Sequence, residues 1–311
     1  MSRTTTVLRA FFPESIRQKL RRAIAATVDW NIAPSADFYS PLPKMKSLLE
    51  HERRWFRASD MAGVEVDLKQ MEEFLTKLVA EYSADYQALP PYDETKQKGF
   101  GPGFTTIDAM VLYFMVRHLR PRRFIEIGSG LSSYYAWLAG QKNRTTNQPL
   151  RQLCIDPMPF QSLGTLPDIE IRAQEAQDAD LAWFSELEAG DILFIDSTHV
   201  VKVDGEVPYL VLEVLPRLKP GVMVHFHDIH FPYHVPCDAQ QYVYDHAYYW
   251  TEAMLVQAFL CFNKAFRIVL STPMLRFHAE SFLQKTLPGY QRLNPKDWDT
   301  HHGSLWIQRV S

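Results

Sequence analysis

The sequence predicts an α/β protein with a seven-stranded, mostly parallel sheet that follows an N-terminal helical extension. From residue 123 onward, short apolar runs alternate with helix-like segments, which is typical of a parallel sheet with crossover helices. The first run, RFIEI, leads through Gly128, Ser129 and Gly130 into a helix-like segment that starts near Ser132. Acidic residues also recur at the ends of the apolar runs. We therefore expect a ligand site at the carboxyl edge of the sheet.

Composition excludes several classes of protein. The chain has 311 residues, 46% of them hydrophobic, and a formal net charge of −3, which argues against nucleic acid as a partner. No apolar run approaches the ~20 residues that a membrane span needs. The three cysteines are far apart and show no metal-binding spacing, so they fit a reducing compartment. We expect a cytoplasmic protein without a transmembrane segment.

Residues 1–99 are predicted to form the helical extension, and residues 100–311 the sheet domain. An amphipathic helix with basic flanks is expected within residues 1–30, because apolar residues recur there every four positions. Peripheral membrane contact is one interpretation of this helix, and docking on the protein's own core is the other. Further helices are expected over 48–57 and 68–86. Their surface could also serve a homo-oligomer.

The sheet domain is expected to open with a glycine-rich loop at 98–104 and a helix over 106–119, which Pro121 ends. The predicted strands after the first lie within 152–157, 169–174, 190–199, 221–230, 265–271 and 304–310. A helix is expected over 209–218, before the turn at Lys219, Pro220 and Gly221, and another over 246–263. Acidic residues end four of the strands, namely Glu126, Asp156, Asp196 and Asp228.

The turn after the first strand carries the first signs of function. Its glycines allow a sharp bend and close approach of a ligand to a helix N-terminus, where unpaired N–H groups point outward. Glu126 lies inside the strand, and a buried carboxylate needs a cationic or hydrogen-bonding partner. The pattern Glu126, Gly128, Gly130 resembles motif I of class I S-adenosylmethionine (SAM)-dependent methyltransferases. The resemblance implies that Glu126 lies near the methionine ammonium group and that Gly128, Ser129 and Gly130 wrap the cofactor.

The second and third strands extend this resemblance. In the family, an acidic residue at the position of Asp156 binds the SAM ribose, and the segment that begins at Gln174 contacts adenine. An acidic residue does similar work in NAD-dependent dehydrogenases, so Asp156 does not separate the two classes. Dinucleotide-binding turns require a third glycine, and Ser133 occupies that position here. A nicotinamide-dependent oxidoreductase on a Rossmann-like sheet is therefore the alternative enzyme class.

The fourth strand end resembles that of metal-dependent, catechol-type O-methyltransferases. The resemblance implies that Asp196 binds a divalent ion and that a basic residue three positions later deprotonates the acceptor hydroxyl. His199 stands at that position, where the family usually has a lysine. An imidazole titrates near neutral pH and can serve as a base there, although a histidine can equally be structural.

The fifth strand end gives the remaining candidate ligands. Asp228 matches the second family aspartate, but Ile229 replaces the asparagine that follows it in the family. A third protein ligand would come from His227, His230 or water, and we take Asp196, Asp228 and His230 as the candidate set for Mg²⁺ or Mn²⁺. The alternative is a metal-free acid–base cluster.

Together these features predict a SAM-dependent methyltransferase with a small-molecule acceptor and transfer to a hydroxyl oxygen. His199, Asp196 and Asp228 are its expected catalytic residues. Besides the oxidoreductase, the sequence leaves open a protein with the same fold that binds ligands or membranes without catalysis.

Overall fold

The computed structural model describes residues 39–144, 149–236 and 238–311, together with seven residues between positions 16 and 27. The chain divides into two compact units, Met1–Trp55 and Phe56–Ser311. Much of the predicted helix within residues 1–30, including Phe12 and Val28, lies outside the described residues. Between residue 39 and the end of the first unit, the described chain forms helices α1 (Met45–Glu50) and α2 (Glu52–Trp55).

The second unit contains a seven-stranded sheet, which confirms the predicted fold class. Its strands are β1 (Arg123–Ile127), β2 (Arg151–Ile155), β3 (Ile169–Arg172), β4 (Ile192–Ile195), β5 (Met223–Phe226), β6 (Phe266–Ser271) and β7 (Leu305–Arg309). They are arranged in the order β3-β2-β1-β4-β5-β7-β6. The first five strands in this order, from β3 at the edge to β5, are parallel to one another. Strand β7 runs antiparallel to both β5 and β6. This is the sheet of the class I methyltransferase fold.

The α-helices in the described part of the second unit precede, connect and follow these strands. They are α3 (Leu68–Gln87), α4 (Tyr92–Lys96), α5 (Thr106–Leu119), α6 (Leu131–Arg144), α7 (Leu181–Ser185), α8 (Glu206–Tyr209), α9 (Glu252–Leu260) and α10 (Thr272–Thr286). The helix predicted over 246–263 is shorter than expected, because Ala247 adopts a left-handed φ of 55° and α9 begins only at Glu252. Helix α10 was not predicted. Within the described residues, no helix is both long and apolar enough to cross a membrane.

Helix α5 is the most deeply buried of these helices. The sequence predicts one apolar stripe, but the residues from Ile107 to Val116 are all buried. The reason is that α5 packs against both α3 and α6. The Thr105 hydroxyl caps its N-terminus by accepting from the Asp108 N–H at 3.2 Å. Because Asp108 lies in the first turn of this buried helix, its side chain is in the interior of the protein.

Helix α3 belongs to the same compact unit as the sheet. Its buried residues Met71, Leu75, Leu78 and Tyr82 form part of the core that includes β1 and β4. The compact unit that holds the sheet therefore begins at Phe56, well before the predicted boundary at residue 99. The division into an extension (1–99) and a methyltransferase domain (100–311) stays a prediction.

Glu126 joins β1 to helix α6 and is fully buried. Its two carboxylate oxygens accept hydrogen bonds from the hydroxyls of Ser132 (2.5 Å) and Ser133 (2.6 Å), and the Cys154 thiol lies 3.4 Å away. These contacts confirm that the buried carboxylate has hydrogen-bonding partners. Burial raises the pKa of Glu126 from 4.5 to about 7, although the hydrogen bonds from Ser132 and Ser133 oppose the rise.

This raised pKa predicts how Glu126 contributes to stability. The folded protein binds this proton more tightly than the unfolded chain, so the contribution is complete below about pH 4.5 and is lost as the pH rises through about 7. The loss should be on the order of 3 kcal/mol. Urea unfolding of the wild type and of Glu126→Gln at pH 5 and pH 8 measures it. The stability of the wild type relative to the variant should fall between the two pH values, and parallel pH profiles would contradict the prediction.

Candidate active site

A cavity of about 380 Å³ lies beyond the carboxyl ends of β1, β2 and β4. The strand order reverses between β1 and β4, and ligands of open α/β sheets bind at such a switch point. The residues that line the cavity come from four strand ends and one following loop. They are residues 127–129, 155–157, 175–177 and 196–198, with Lys202, Asp204 and Glu206.

The glycine turn forms one wall of this cavity and is joined to the end of β4. Gly128 has a φ of 81°, and a Cβ atom there would overlap the backbone carbonyl oxygen of Asp196. The Gly128 N–H donates to the Ile155 carbonyl at 3.0 Å, and the Asp196 N–H donates to the Ile127 carbonyl at 2.9 Å. These backbone contacts explain why glycine is required at position 128.

Asp156 and Ser129 lie next to each other on the cavity wall. The Ser129 hydroxyl donates to Asp156 Oδ2 at 2.5 Å, and the Met158 N–H donates to Oδ1 at 2.8 Å. The carboxylate is therefore held in one orientation, with its remaining acceptor capacity available to a ligand hydroxyl.

Three of the predicted cofactor residues do not line the cavity. Both oxygens of Glu126 are occupied by serine hydroxyls beneath α6, and the Gly130 N–H donates to the Ser133 hydroxyl at 3.0 Å. Gln174 lies before the lining segment 175–177. The amide oxygen of Gln177, which belongs to that segment, is buried and has no hydrogen-bond partner among the described residues.

His199 occupies the centre of a buried polar cluster next to this cavity. Its Nδ1 lies 2.9 Å from Glu252 Oε2, and its ring packs 4.4 Å from the ring of Trp250. Its Nε2 lies 3.4 Å from Asp196 Oδ1 and 3.7 Å from Asp228 Oδ2. The structure thus brings the three predicted catalytic residues together, and Asp196 is also part of the cavity wall.

His227 lies on the other side of the two aspartates. Its Nδ1 is 3.4 Å from Asp196 Oδ2 and 3.5 Å from Asp228 Oδ2. One ligand atom from each of Asp196, His227 and Asp228 lies within 4.8 Å of the other two, so these residues could hold a metal ion. Within the described residues, His227 Nδ1 and Asp228 Oδ1 are buried without a hydrogen-bond partner. His230 Nε2 lies 3.7 Å from Asp228 Oδ1, and the role of His230 as a ligand stays a prediction.

Burial and charge pull the pKa values of this cluster in opposite directions. Burial alone would lower the pKa of His199, but its contacts with Asp196 and Glu252 raise it to about 10. Burial alone would raise the pKa of Asp196, but His227 and His199 hold it well below its usual range. Burial raises the pKa of Asp228 to about 6 despite both imidazoles. The protonation state of each residue in the cluster therefore depends on the charges of the others.

Two residues of the cluster were not predicted. Asp108, at the start of α5, has an oxygen 3.3 Å from His227 Nε2. Glu252, at the start of α9, is the partner of His199 Nδ1. Both side chains are buried. Both positions look like ordinary acidic residues in the first turn of a helix, and no local motif marks them as parts of the site.

The methyltransferase domain family matches residues 125–229 of this chain. The matched range begins in β1 and ends directly after Asp228, so it contains the glycine turn, Asp156, Asp196 and His199. Over 169 residues, the chain is 33% identical to an uncharacterized protein of Archaeoglobus fulgidus. That alignment covers 50% of this chain and 74% of the archaeal protein.

Two solved structures are also similar. One is the O-methyltransferase TomG from Streptomyces achromogenes, involved in tomaymycin synthesis, in complex with SAM. It has 14% identity and a TM-score of 0.42, over 80% of this chain and 92% of that chain. The other is an O-methyltransferase from Bacillus cereus in complex with S-adenosylhomocysteine (SAH). It has 15% identity and a TM-score of 0.44, over 78% of this chain and all of that chain.

The close backbone approach at Gly128 gives a stability prediction. Gly128→Ala should destabilise the fold by at least about 1–2 kcal/mol, because alanine is strained at positive φ and its Cβ also meets the Asp196 carbonyl. Gly164→Ala is the matched control, since a Cβ at Gly164 has no atom within 4 Å. Thermal unfolding of both variants measures the difference, and equal melting temperatures would contradict the prediction.

Proposed function

The chain belongs to the class I SAM-dependent methyltransferases, and on this basis we propose that it transfers the methyl group to a hydroxyl oxygen of a small molecule. Membership of this family favours the methyltransferase over the nicotinamide-dependent oxidoreductase and the non-catalytic binding protein. The arrangement of His199 between Glu252 and the two aspartates carries the proposal for oxygen. In this arrangement, a base and the carboxylate that orients it lie next to the wall of the cofactor cavity.

SAM would occupy the cavity at the strand switch point. Asp156 would accept hydrogen bonds from the ribose hydroxyls, next to the glycine turn formed by Gly128 and Ser129. The segment 175–177 would face the adenine. Glu126 supports this site from beneath, by fixing the N-terminus of α6 through its two serine contacts.

His199 would act as the general base. Glu252 accepts from its Nδ1–H, which leaves Nε2 as the nitrogen that faces Asp196 and Asp228. The acceptor hydroxyl would lie against Nε2, and its oxygen would attack the sulfonium methyl in line. The protein's task is mainly to position the two reactants and remove one proton.

The carboxylates around His199 affect whether its imidazole is neutral and can accept a proton. With the pKa of His199 raised to about 10, the imidazole is protonated at neutral pH and cannot accept a proton. The negative charge of Asp196 and Asp228 must therefore be offset in the active enzyme. Asp196, His227 and Asp228 are the residues that would hold a divalent cation, and the unpartnered Nδ1 atom of His227 fits one. Such a cation would polarise the acceptor hydroxyl and favour the neutral form of His199.

Several expectations from the sequence stay predictions. They are a cytoplasmic location, membrane contact through the N-terminal helix and a homo-oligomer. The two cysteines within the described chain, Cys154 and Cys261, are free thiols, which is consistent with a reducing compartment.

Asp156→Ala tests the cofactor half of the proposal. The loss of hydrogen bonds to a charged group should weaken SAM binding roughly ten- to a hundred-fold. Isothermal titration with SAM and SAH measures the affinity. Glu170→Ala, which removes an exposed carboxylate outside the cavity, is the control for net charge. Folded wild-type protein that binds neither compound would contradict the whole assignment.

His199→Gln tests the acceptor half. Loss of the general base should lower turnover on the order of a hundred-fold and leave SAM affinity unchanged. The assay follows methyl-labelled SAM on a panel of hydroxyl compounds with matched amines and thiols, and mass spectrometry locates the methyl group. His278→Gln removes an exposed imidazole and serves as the control. Transfer to nitrogen or sulfur only, or full activity of His199→Gln, would refute the proposal.

A further inference from the structure

His227 has one ring nitrogen next to Asp108 and the other in front of two carboxylates. Its Nε2 lies 3.3 Å from Asp108 Oδ2, while its Nδ1 faces Asp196 and Asp228 without a hydrogen bond to any described residue. The side chain is 1% exposed. A buried imidazole nitrogen without a partner is unfavourable, so its direction toward two carboxylates calls for an explanation.

Asp108 determines which nitrogen of His227 carries the proton. Its carboxylate accepts from the hydroxyls of Thr105 and Ser304, both at 2.7 Å, and from the Gly303 N–H at 3.2 Å. Ionised Asp108 can only accept hydrogen bonds, so Nε2 of His227 carries a proton whether or not Nδ1 also does. A cation that replaces the proton on Nδ1 would meet a lone pair directed toward Asp196 and Asp228. Histidine ligands of metals have this arrangement, with the second ring nitrogen bound to a carboxylate.

The spacing of the three side chains also fits ligands of one ion. The distances of 3.4 and 3.5 Å from His227 Nδ1 to the two aspartates exceed the common N–H···O length of about 2.9 Å. Two ligand atoms about 2.1 Å from one ion are about 3.0 Å apart at an octahedral angle and about 3.4 Å apart at a tetrahedral angle, so these side chains are close to the spacing of ligands to one ion.

We propose that Asp108, acting through His227, makes Asp196, His227 and Asp228 a nitrogen-containing site that prefers a first-row transition ion such as Mn²⁺ or Co²⁺ to Mg²⁺. Imidazole suits transition ions, whereas Mg²⁺ is bound mainly by carboxylates and water. Asp108 is a positioning residue in this site, because it touches His227 and no other member of the three. The proposal rests on the proposed function, since it names what offsets the charge beside His199.

The test measures metal binding by the full chain after treatment with a chelator. Isothermal titration should give an Mn²⁺ affinity at least about tenfold above that for Mg²⁺. Pulsed EPR of the Mn²⁺ complex should show coupling to an imidazole nitrogen, and this coupling should persist in His199→Gln. SAM titration of the same samples reports independently on the fold and on the cofactor site.

Substitutions distinguish the contribution of His227 to metal binding from the contributions of its neighbours. His227→Gln should abolish the preference for Mn²⁺ and the nitrogen coupling, whereas Asp108→Asn should weaken Mn²⁺ binding about ten- to a hundred-fold. His230→Gln is the matched control, because it removes a second buried imidazole next to Asp228 and should keep both properties. The wild-type measurements test the proposal even if a variant fails to fold.

Three results would overturn this inference. They are wild-type protein that binds SAM but neither ion, equal affinity for Mn²⁺ and Mg²⁺, and loss of the nitrogen coupling in His230→Gln with retention in His227→Gln. The first would leave the proposed methyl transfer standing as a metal-free reaction. Failure to bind SAM would instead refute the proposed function, so the two failures are distinguishable.

Discussion

The packing of four carboxylates, three of them buried, against two imidazoles is the constraint on which this active site depends. Asp108, Asp196, Asp228 and Glu252 surround His199 and His227, and even two protonated imidazoles cannot neutralise four ionised carboxylates. Proton uptake offers one solution, since burial raises the pKa values of both Asp228 and Glu252. A bound cation offers the other. Either solution ties the protonation of His199 to the charge on the aspartates, so the base and its surroundings act as one unit.

The backbone near this cluster is held in an unusual conformation. His199 and Asp228 have φ values of 60° and 55°, and such residues are strained by on the order of 1–3 kcal/mol each. The His199 carbonyl accepts from the N–H groups of Thr251 (2.8 Å) and Glu252 (3.0 Å), while Asp228 packs directly against Gly303. The start of α9 therefore fixes the backbone of His199 and supplies the carboxylate that orients its ring.

Features that depend on neighbouring residues in the chain could be predicted, whereas contacts between distant segments could not. Alternating apolar runs gave the strands, and the acidic residue after a strand located Asp156 and Asp196. Glu252 is 53 residues from His199 and Asp108 is 119 residues from His227, so no local pattern joins them. The choice of His230 over His227 as the third metal ligand stays a prediction for a related reason. The strand ends at Phe226, and beyond that point periodicity no longer fixes the direction of a side chain.

The charge of the cavity explains why this glycine turn suits SAM better than a dinucleotide, a distinction that the turn sequence leaves open. Five carboxylates line the cavity, those of Asp156, Glu175, Asp196, Asp204 and Glu206, against the single cation of Lys202 among the described lining residues. This excess of negative charge repels the pyrophosphate of NAD, whereas it attracts the sulfonium and ammonium groups of SAM. Because Asp196 belongs to both the cavity wall and the buried cluster, the positive charge of SAM also acts on His199 and His227. The binding of SAM and the protonation of His199 are therefore coupled through one carboxylate.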